Sequence, residues 1–443
     1  MIGNPPYVDN RGFDKTVLNY LFNTYTHSFQ KSGTDKFKTT KLNLIAPFIE
    51  LNSKILKTNG VTSFIFHKNI FKTNGYTSIR KFILDNFYIE LLTDWGAGQF
   101  QDVVAETATF TLKKVAKLNE KIKVEFFNLN NKINENEQSQ KVFIHSYEYI
   151  FGIYASTNDR LVLKKIENLK TVLGDLVNIN NGIVTGNDKK YLSSRKLGEN
   201  YKKALRGRNI DRYGFLKTDE YVNYKKKELL RARNEDIFRS NEKLIMQMIN
   251  IDFVISYDDS QFYNMGTTYA ITLKKEGSLL NILGVLNSKL IGFYYKKKFT
   301  NDSSLTNAIS TQNLITIPIP TSYSPDFEKV VKKILTLEKD LFSFVVNFNE
   351  LLKSKFELNK ISKKLQNWHK FEFGVFVKEL KKQKIQLSLS EEAEWMQYFN
   401  KQKVKAQVIK SEIEKTDKEI DQMVYELYGL TEDEMKIVEE ATA

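Results

Sequence analysis

The pattern of apolar positions divides the chain into three regions. From Leu42 towards Leu56 they recur every three or four residues, so an amphipathic helix beginning near Lys41 is expected, and Asn59-Gly60 supplies its stop. Val61 to Phe66 is a short apolar, β-rich run. Ile79, Phe82 and Ile83 then share one face of a helix expected over Thr77 to Asn86, and strand-like runs follow near Ile89 to Thr93 and Thr107 to Leu112. Helix and strand alternating in this way point to an α/β fold with a parallel sheet.

From about residue 160 the pattern becomes short strands separated by turns. Asn181-Gly182-Ile183-Val184-Thr185-Gly186-Asn187 is a Gly/Asn turn cluster, Leu279 to Leu286 is an apolar helix, and Ile317-Pro318-Ile319-Pro320 closes the stretch. Beyond residue 326 the chain reads as helical. Ile409, Ile413, Ile420, Val424 and Leu427 recur at three-, four- or seven-residue steps as one apolar seam. After the break at Gly429, Thr431-Glu432-Asp433-Glu434 is a capping box that starts a last short helix. The expected division is therefore 1–115, a connecting segment 116–160, 161–325 and 326–443.

Composition narrows the function classes. The 443 residues are 41% hydrophobic and 27% charged, as in globular proteins, and are enough for two or three domains with real cores. No run approaches the ~18 apolar residues of a membrane span, and the N-terminus does not resemble a secretory signal. With no cysteine, disulfides, thiolate zinc sites and cysteine nucleophiles are excluded. A soluble cytoplasmic protein is expected. The net charge is +14, and residues 160–300 hold most of the excess, with 27 Lys and Arg against 15 Asp and Glu. A concentrated basic field calls for a polyanion. These charges alternate with strand-like and aromatic residues rather than forming a bare lysine tract, which favours nucleic acid over a membrane surface.

The densest candidate chemistry is Asn4-Pro5-Pro6-Tyr7. Adjacent prolines make a stiff loop whose carbonyls can only accept, because proline lacks a backbone donor. Between an amide and an aromatic ring, that loop suits a flat heterocycle bearing an exocyclic amine. Other catalytic readings are weaker. The four histidines (His27, His67, His145, His369) are scattered, Asp258-Asp259 reads as a turn, and neither a P-loop nor a Gly-x-Gly-x-x-Gly fingerprint is present.

Asn4-Pro5-Pro6-Tyr7 resembles motif IV of the DNA methyltransferases that act on the N6 amine of adenine. The resemblance continues through Lys57-Thr58-Asn59-Gly60, Ser63-Phe64-Ile65-Phe66 and Asn69-Ile70-Phe71, then Asp94-Trp95-Gly96-Ala97-Gly98-Gln99-Phe100 and Val103-Val104-Ala105-Glu106-Thr107-Ala108. It departs at His67-Lys68, where the family loop usually has proline. Downstream, Leu205-Arg206-Gly207-Arg208-Asn209-Ile210-Asp211-Arg212-Tyr213, Leu286-Asn287-Ser288-Lys289-Leu290 and Ile317-Pro318-Ile319-Pro320 resemble the TaqI-like specificity domain of such enzymes and of type IIG restriction–modification enzymes.

The resemblance implies a partial Rossmann-like methyltransferase sheet over 1–115, a mixed α/β target-recognition domain over 161–325 and a helical region over 326–443. It implies a restriction–modification enzyme that flips an adenine out of double-stranded DNA and methylates it from S-adenosylmethionine. The Asn4 side-chain oxygen and the Pro5 carbonyl would accept the amine hydrogens, with Pro6 stiffening the loop, Tyr7 stacking on the purine and Phe100 on its other side. Read as structure alone, Phe100 is one of 31 phenylalanines. Arg206, Arg208, Arg212, Lys296, Lys297 and Lys298 are the DNA-binding candidates. The family's cofactor site lies upstream of its Asn-Pro-Pro-Tyr, so the cofactor-binding site is expected upstream of Met1; besides double-stranded DNA, a separate S-adenosylmethionine-binding or nuclease subunit is a candidate partner. Three readings stay open: the base-pocket and recognition portion of a methyltransferase, a DNA-binding specificity module without catalysis, and a derivative of a fused enzyme whose nuclease lay upstream.

Overall fold

The structure is a computed structural model that describes residues 1–7, 12–28, 44–100, 105–114, 121–128, 131–300 and 308–442. The chain divides into two units, Met1–Lys164 with Tyr294–Asn307, and Lys165–Phe293 with Ala308–Ala443.

The first unit is built on a sheet of six strands among the described residues: β1 (Ile2–Gly3), β2 (Val61–His67), β3 (Tyr88–Ala97), β4 (Glu106–Lys113), β5 (Lys121–Asn128) and β6 (Asn131–Ser139), in the order β1-β2-β4-β3-β5-β6. The pairs β1/β2 and β3/β5 are parallel, whereas β2/β4, β3/β4 and β5/β6 are antiparallel. The sheet is thus mixed where alternation led us to expect a parallel one. The reason is connection length: the β3–β4 link is too short for the dozen or more residues of a parallel crossover, so β4 folds back as a hairpin and inserts beside β2.

The helix Thr77–Asn86 and the strands Val61–His67, Tyr88–Ala97 and Glu106–Lys113 agree with the sequence expectation. The helix expected from Lys41 is described over Ile45–Ile55; residues 41–43 lie outside the described residues. Alternation along β2 buries Thr62, Phe64 and Phe66, and Phe66 packs 4.4 Å from Phe110 between ring centroids. Ile49, Ile79 and Ile83 from the two helices are fully buried in the same core. Each such side chain contributes about 1.5–3 kcal/mol by leaving water.

Residues 121–139 supply two strands of this sheet, not a connector. In β5 the alternate residues Ile122, Val124 and Phe126 are buried. Strand β6 is Asn-Lys-Ile-Asn-Glu-Asn-Glu-Gln-Ser and largely exposed. Its polar composition is that of an edge strand blunted against further pairing, which is why its strand character was not legible.

The second unit holds two four-stranded sheets and a set of helices. Its strands are β7 (Val177–Asn181), β8 (Leu192–Ser193), β9 (Tyr201–Leu205), β10 (Tyr221–Asn223), β11 (Lys243–Gln247), β12 (Ile255–Asp258), β13 (Tyr263–Asn264) and β14 (Thr268–Leu273). The orders are β13-β9-β10-β8 and β12-β11-β14-β7. The Gly/Asn cluster after β7 is a site of close backbone approach. A Cβ on Gly182 would lie 2.1 Å from the Met265 carbonyl oxygen, so only glycine fits there. Lys243 and Asp258 form a fully buried ion pair at 2.7 Å between β11 and β12.

The helix Leu279–Asn287 begins at Ser278, whose hydroxyl accepts the Asn281 amide. The helix Phe327–Lys355 rests directly on it: a Cβ on Gly284 would meet Val331 and Phe327 at 2.7 and 2.8 Å. The long helix Leu389–Leu427 buries Ile420 and Val424 of the expected seam. Phe348 and Trp368 stack at 3.9 Å with Phe376 and Phe399 around them. The capping box at Thr431 and Glu434 forms as expected, after Gly429 at φ +66°. Residues 165–293 and the C-terminal helices share one unit, because Lys289 donates its amide to Asp421 (2.9 Å) and the Tyr428 hydroxyl donates to the Pro318 carbonyl (2.7 Å). Among the described residues, no helix is long and apolar enough to cross a membrane.

Candidate functional site

Pairing across the first sheet places Gly3, Phe64, Phe110, Leu92 and Val124 in one row. Strands β1, β2 and β3 run in the same direction, so the segments that follow β1 and β3 leave the same edge of the sheet. Asn4-Pro5-Pro6-Tyr7 follows β1 and Phe100 follows β3. Close packing fixes the departure point of the first loop: a Cβ on Gly3 would stand 3.1 Å from the Phe64 ring. Pro5 is buried, while Asn4, Pro6 and Tyr7 are exposed. Tyr7 keeps 42% of its surface accessible, and its partial burial raises its hydroxyl pKa. A rigid buried proline between accessible amide and ring is the arrangement a presented acceptor loop needs.

Strands β1 and β3 are three positions apart in the sheet, roughly 14 Å. Phe100 is half-buried and lies beyond Gly96 and Gly98, whose positive φ angles turn the chain at the end of β3. Val8, Val103 and Val104 lie outside the described residues.

The same edge carries a buried ionic cluster that motif reading had not singled out. Lys68, just past β2, lies 3.4 Å from Asp94 and 3.6 Å from Glu106, with all three side chains less than a tenth exposed. Asp94 also accepts the Tyr154 hydroxyl at 2.5 Å and the Gly96 amide at 2.9 Å. Its carboxylate therefore holds both the lysine and the turn that leads to Phe100. Burial, with Lys68 as a like-charged neighbour, brings the Lys72 amine down to about 8. Burial likewise lowers the His67 pKa. A lysine directly after an alternating strand was the available signal. Its two carboxylate partners, 26 and 38 positions later, were not readable by spacing.

The six basic candidates fall into different settings. Arg206 donates to Glu220 (2.6 Å) and Asp188 (2.9 Å). Arg208 is the most exposed, at 71% of its side chain, and stands 3.6 Å from Glu220. Arg212 donates to the Asn287 carbonyl (2.8 Å) and is paired with Asp417, so its guanidinium ties the strand region to the long helix. Burial opposes that charge, but Asp417 and Asp421 keep it in place. Lys297 pairs with Asp159 (2.9 Å), and Lys298 donates to the Tyr294 hydroxyl (2.7 Å) with its ammonium over the Tyr294 and Phe299 rings. Lys296 is half-buried on the same helix. Arg206 and Arg208 thus share Glu220, Arg212 is tied to the long helix, and Arg208 is the one presented to solvent.

Comparison with known proteins gives three consecutive matches. Residues 1–100 match the Eco57I restriction-modification methylase family, residues 202–319 match the TaqI-like C-terminal specificity domain, and residues 321–424 match a domain of unknown function, DUF8810. The type II methyltransferase M.BstVI of Geobacillus stearothermophilus is 22% identical over 434 residues, which cover 81% of this chain and 74% of that protein. Among solved structures, the type IIL restriction-modification enzyme MmeI in complex with DNA aligns at a TM-score of 0.55 with 11% identity, covering 99% of this chain and 56% of that one. The chain thus spans little more than half of the length of that enzyme, and the likeness is one of fold.

Proposed function

We propose that this chain is the base-binding and recognition portion of a restriction–modification methyltransferase, and that it holds a flipped adenine of double-stranded DNA at Asn4-Pro5-Pro6-Tyr7 for methylation at N6. The observation that carries the reading is the loop itself: a buried Pro5 between exposed Asn4 and Tyr7, at the edge of the sheet where β1 ends. The adenine amine donates its lone pair into the ring and is a poor nucleophile. Acceptors aimed at its two hydrogens, from the Asn4 amide oxygen and the Pro5 carbonyl, hold the amine so that the lone pair can face a methyl donor. Such positioning accounts for most of the rate effect. Tyr7 and Phe100 stack on the extruded base and offset the stacking it loses on leaving the duplex. The Lys68–Asp94–Glu106 cluster holds the turn from which Phe100 departs.

S-adenosylmethionine enters this reading through the family. The acceptor-rich donor set of the loop suits the base. The cofactor's ribose and amino-acid ends call for a carboxylate and backbone N–H groups, which the Pro-Pro pair does not supply. The loop residues therefore fit the base and not the cofactor, and no step here is routed through the cofactor.

In the recognition region, Arg208 is the proposed DNA contact, and Arg206, held by two carboxylates, is positioned beside it. Arginine reads guanine edges, but phosphate contact is the more frequent role. The test is transfer of labelled methyl from S-adenosylmethionine to a duplex by the chain assembled with its cofactor-binding half, with the product base identified by mass spectrometry. Asn4→Ala is expected to abolish N6-methyladenine while duplex affinity stays within about twofold. Retained methylation in that variant, or a methylated cytosine, overturns the reading. Calorimetry with S-adenosylmethionine separates a catalytic chain from a specificity module, which would bind DNA but not the cofactor.

A further inference from the structure

The second unit contains a cleft of ≈ 760 Å³ between the segment after β9 and the C-terminal helices. This is the size range in which proteins bind small molecules or segments of larger ones. One wall carries Phe215, 43% exposed, its ring centroid 4.9 Å from that of Phe342 of the helix Phe327–Lys355 and its plane tilted by 39°. Lys217 stands 5.4 Å from the Phe342 ring centroid and Lys339 6.0 Å from that of Phe215. An accessible ring pair flanked by ammonium groups is a stacking platform for an aromatic ligand that also bears negative charge.

The floor offers unsatisfied polar atoms. Asn349 is 7% exposed; its amide nitrogen donates to the Gln366 carbonyl at 3.1 Å, but its Oδ1 is buried without a partner. Nδ1 of His369, on the same lining, is also buried without a partner. Leaving a buried polar atom unpaired costs about 1–3 kcal/mol, but both atoms lie beneath the accessible lining.

The rim is basic: Arg208, Lys353, Lys360 and Lys370 join Lys217. Four carboxylates share the lining, Asp211, Asp219, Glu338 and Glu350. Glu350 is already paired with Lys353 at 2.7 Å, and burial beside Asp211 and Asp417 lifts Glu338 to about 7, so it carries only part of its charge near neutrality. Five cationic side chains thus share the lining with four carboxylates, one of them only partly ionised near neutrality.

We infer that this cleft is a groove for a single strand of DNA, with a base against Phe215 and the flanking phosphates on Lys360 and Lys370. The combination of an accessible ring platform and ammonium groups around it recognises a nucleotide. A strand, rather than a paired duplex, is required because only an unpaired base can offer its face to a ring. The inference gives the helical region, which includes residues 327–370, a direct part in holding DNA. It rests on the DNA-binding part of the proposed function and not on the methylation part.

The test uses the full chain and a fluorescein-labelled, mixed-sequence single-stranded oligonucleotide, with anisotropy read across a salt series. Lys360→Glu combined with Lys370→Glu is expected to weaken binding at least tenfold and to make the salt dependence shallower by about 1–2, as loss of two phosphate contacts does. Phe215→Ala is expected to weaken binding about tenfold with the salt slope unchanged. An oligonucleotide bearing 5-iodouracil is expected to crosslink to Phe215 or Phe342. Circular dichroism and thermal melting confirm that each variant is folded. Folded variants that bind within twofold of the parent chain, or a parent chain that does not bind the strand, overturn the inference. Displacement of the strand by ATP at lower concentration than by unlabelled strand overturns it in favour of a free nucleotide. Because the Asn4→Ala methylation assay reads a different unit, either result can fail without the other.

Discussion

Arg212 and Asp417, 205 positions apart in the sequence, form an ion pair that fastens the strand region of the second unit to its longest helix. By sequence, Arg212 is one of three neighbouring arginines that are candidates for DNA contact. Its second bond, to the Asn287 carbonyl, leaves the guanidinium committed inside the protein. Arg212→Ala is expected to lower stability by about 2 kcal/mol, less than the ~3–5 kcal/mol for breaking a fully buried pair, because the side chain remains 31% exposed. Urea unfolding measures this. Arg208→Ala should do the opposite, changing the salt slope of DNA binding by about 1 with no loss of stability.

Gly182→Ala tests the close approach after β7. The added methyl would stand 2.1 Å from the Met265 carbonyl oxygen, a backbone atom that cannot swing aside. A loss at the upper end of the ~1–3 kcal/mol typical of overpacking is expected. Gly198→Ala, with nothing within 4 Å of its Cβ, is the matched control and should melt within a degree or two of the parent chain.

Burial, with Lys370 and Lys410 nearby, brings His369 down to about 4 from its usual 6.5. A depressed folded-state value means that the unfolded chain binds the proton more readily. The associated stability is therefore complete above pH 6.5 and is lost as pH falls through 4, a total of roughly 2–3 kcal/mol. His369→Gln should flatten the stability profile between pH 4 and 6.5. An unchanged slope in that window would place the acid sensitivity elsewhere.

Lys68→Met removes the ammonium that Asp94 and Glu106 share. Stripping one member from a buried ionic cluster costs about 3–5 kcal/mol. Urea unfolding measures this, and a loss below about 1 kcal/mol would mean that the ammonium adds little beyond packing.

The readable parts of the chain were those governed by near neighbours. Thr77–Asn86 follows from three apolar residues at helical spacing, the last helix from Thr431 and Glu434, and the candidate base loop from four adjacent residues. Strand β6 was illegible because an edge strand needs no apolar face, and its asparagines and glutamates resemble a linker.

Period, turn chemistry and short motifs act over a few residues, so the amino-acid order alone sets where helices start, where strands run and which loop presents Asn4 and Tyr7. Pairing was decided only in three dimensions. The insertion of β4 beside β2, the meeting of Lys68 with Asp94 and Glu106, the capture of Arg212 by Asp417 and the groove between Phe215 and Asn349 all join residues far apart in sequence. A charged side chain in a sequence carries no mark of its partner. Whether it faces solvent, as Arg208 does, or an internal carboxylate, as Arg212 does, depends on which distant segment the packed core brings to within about 4 Å.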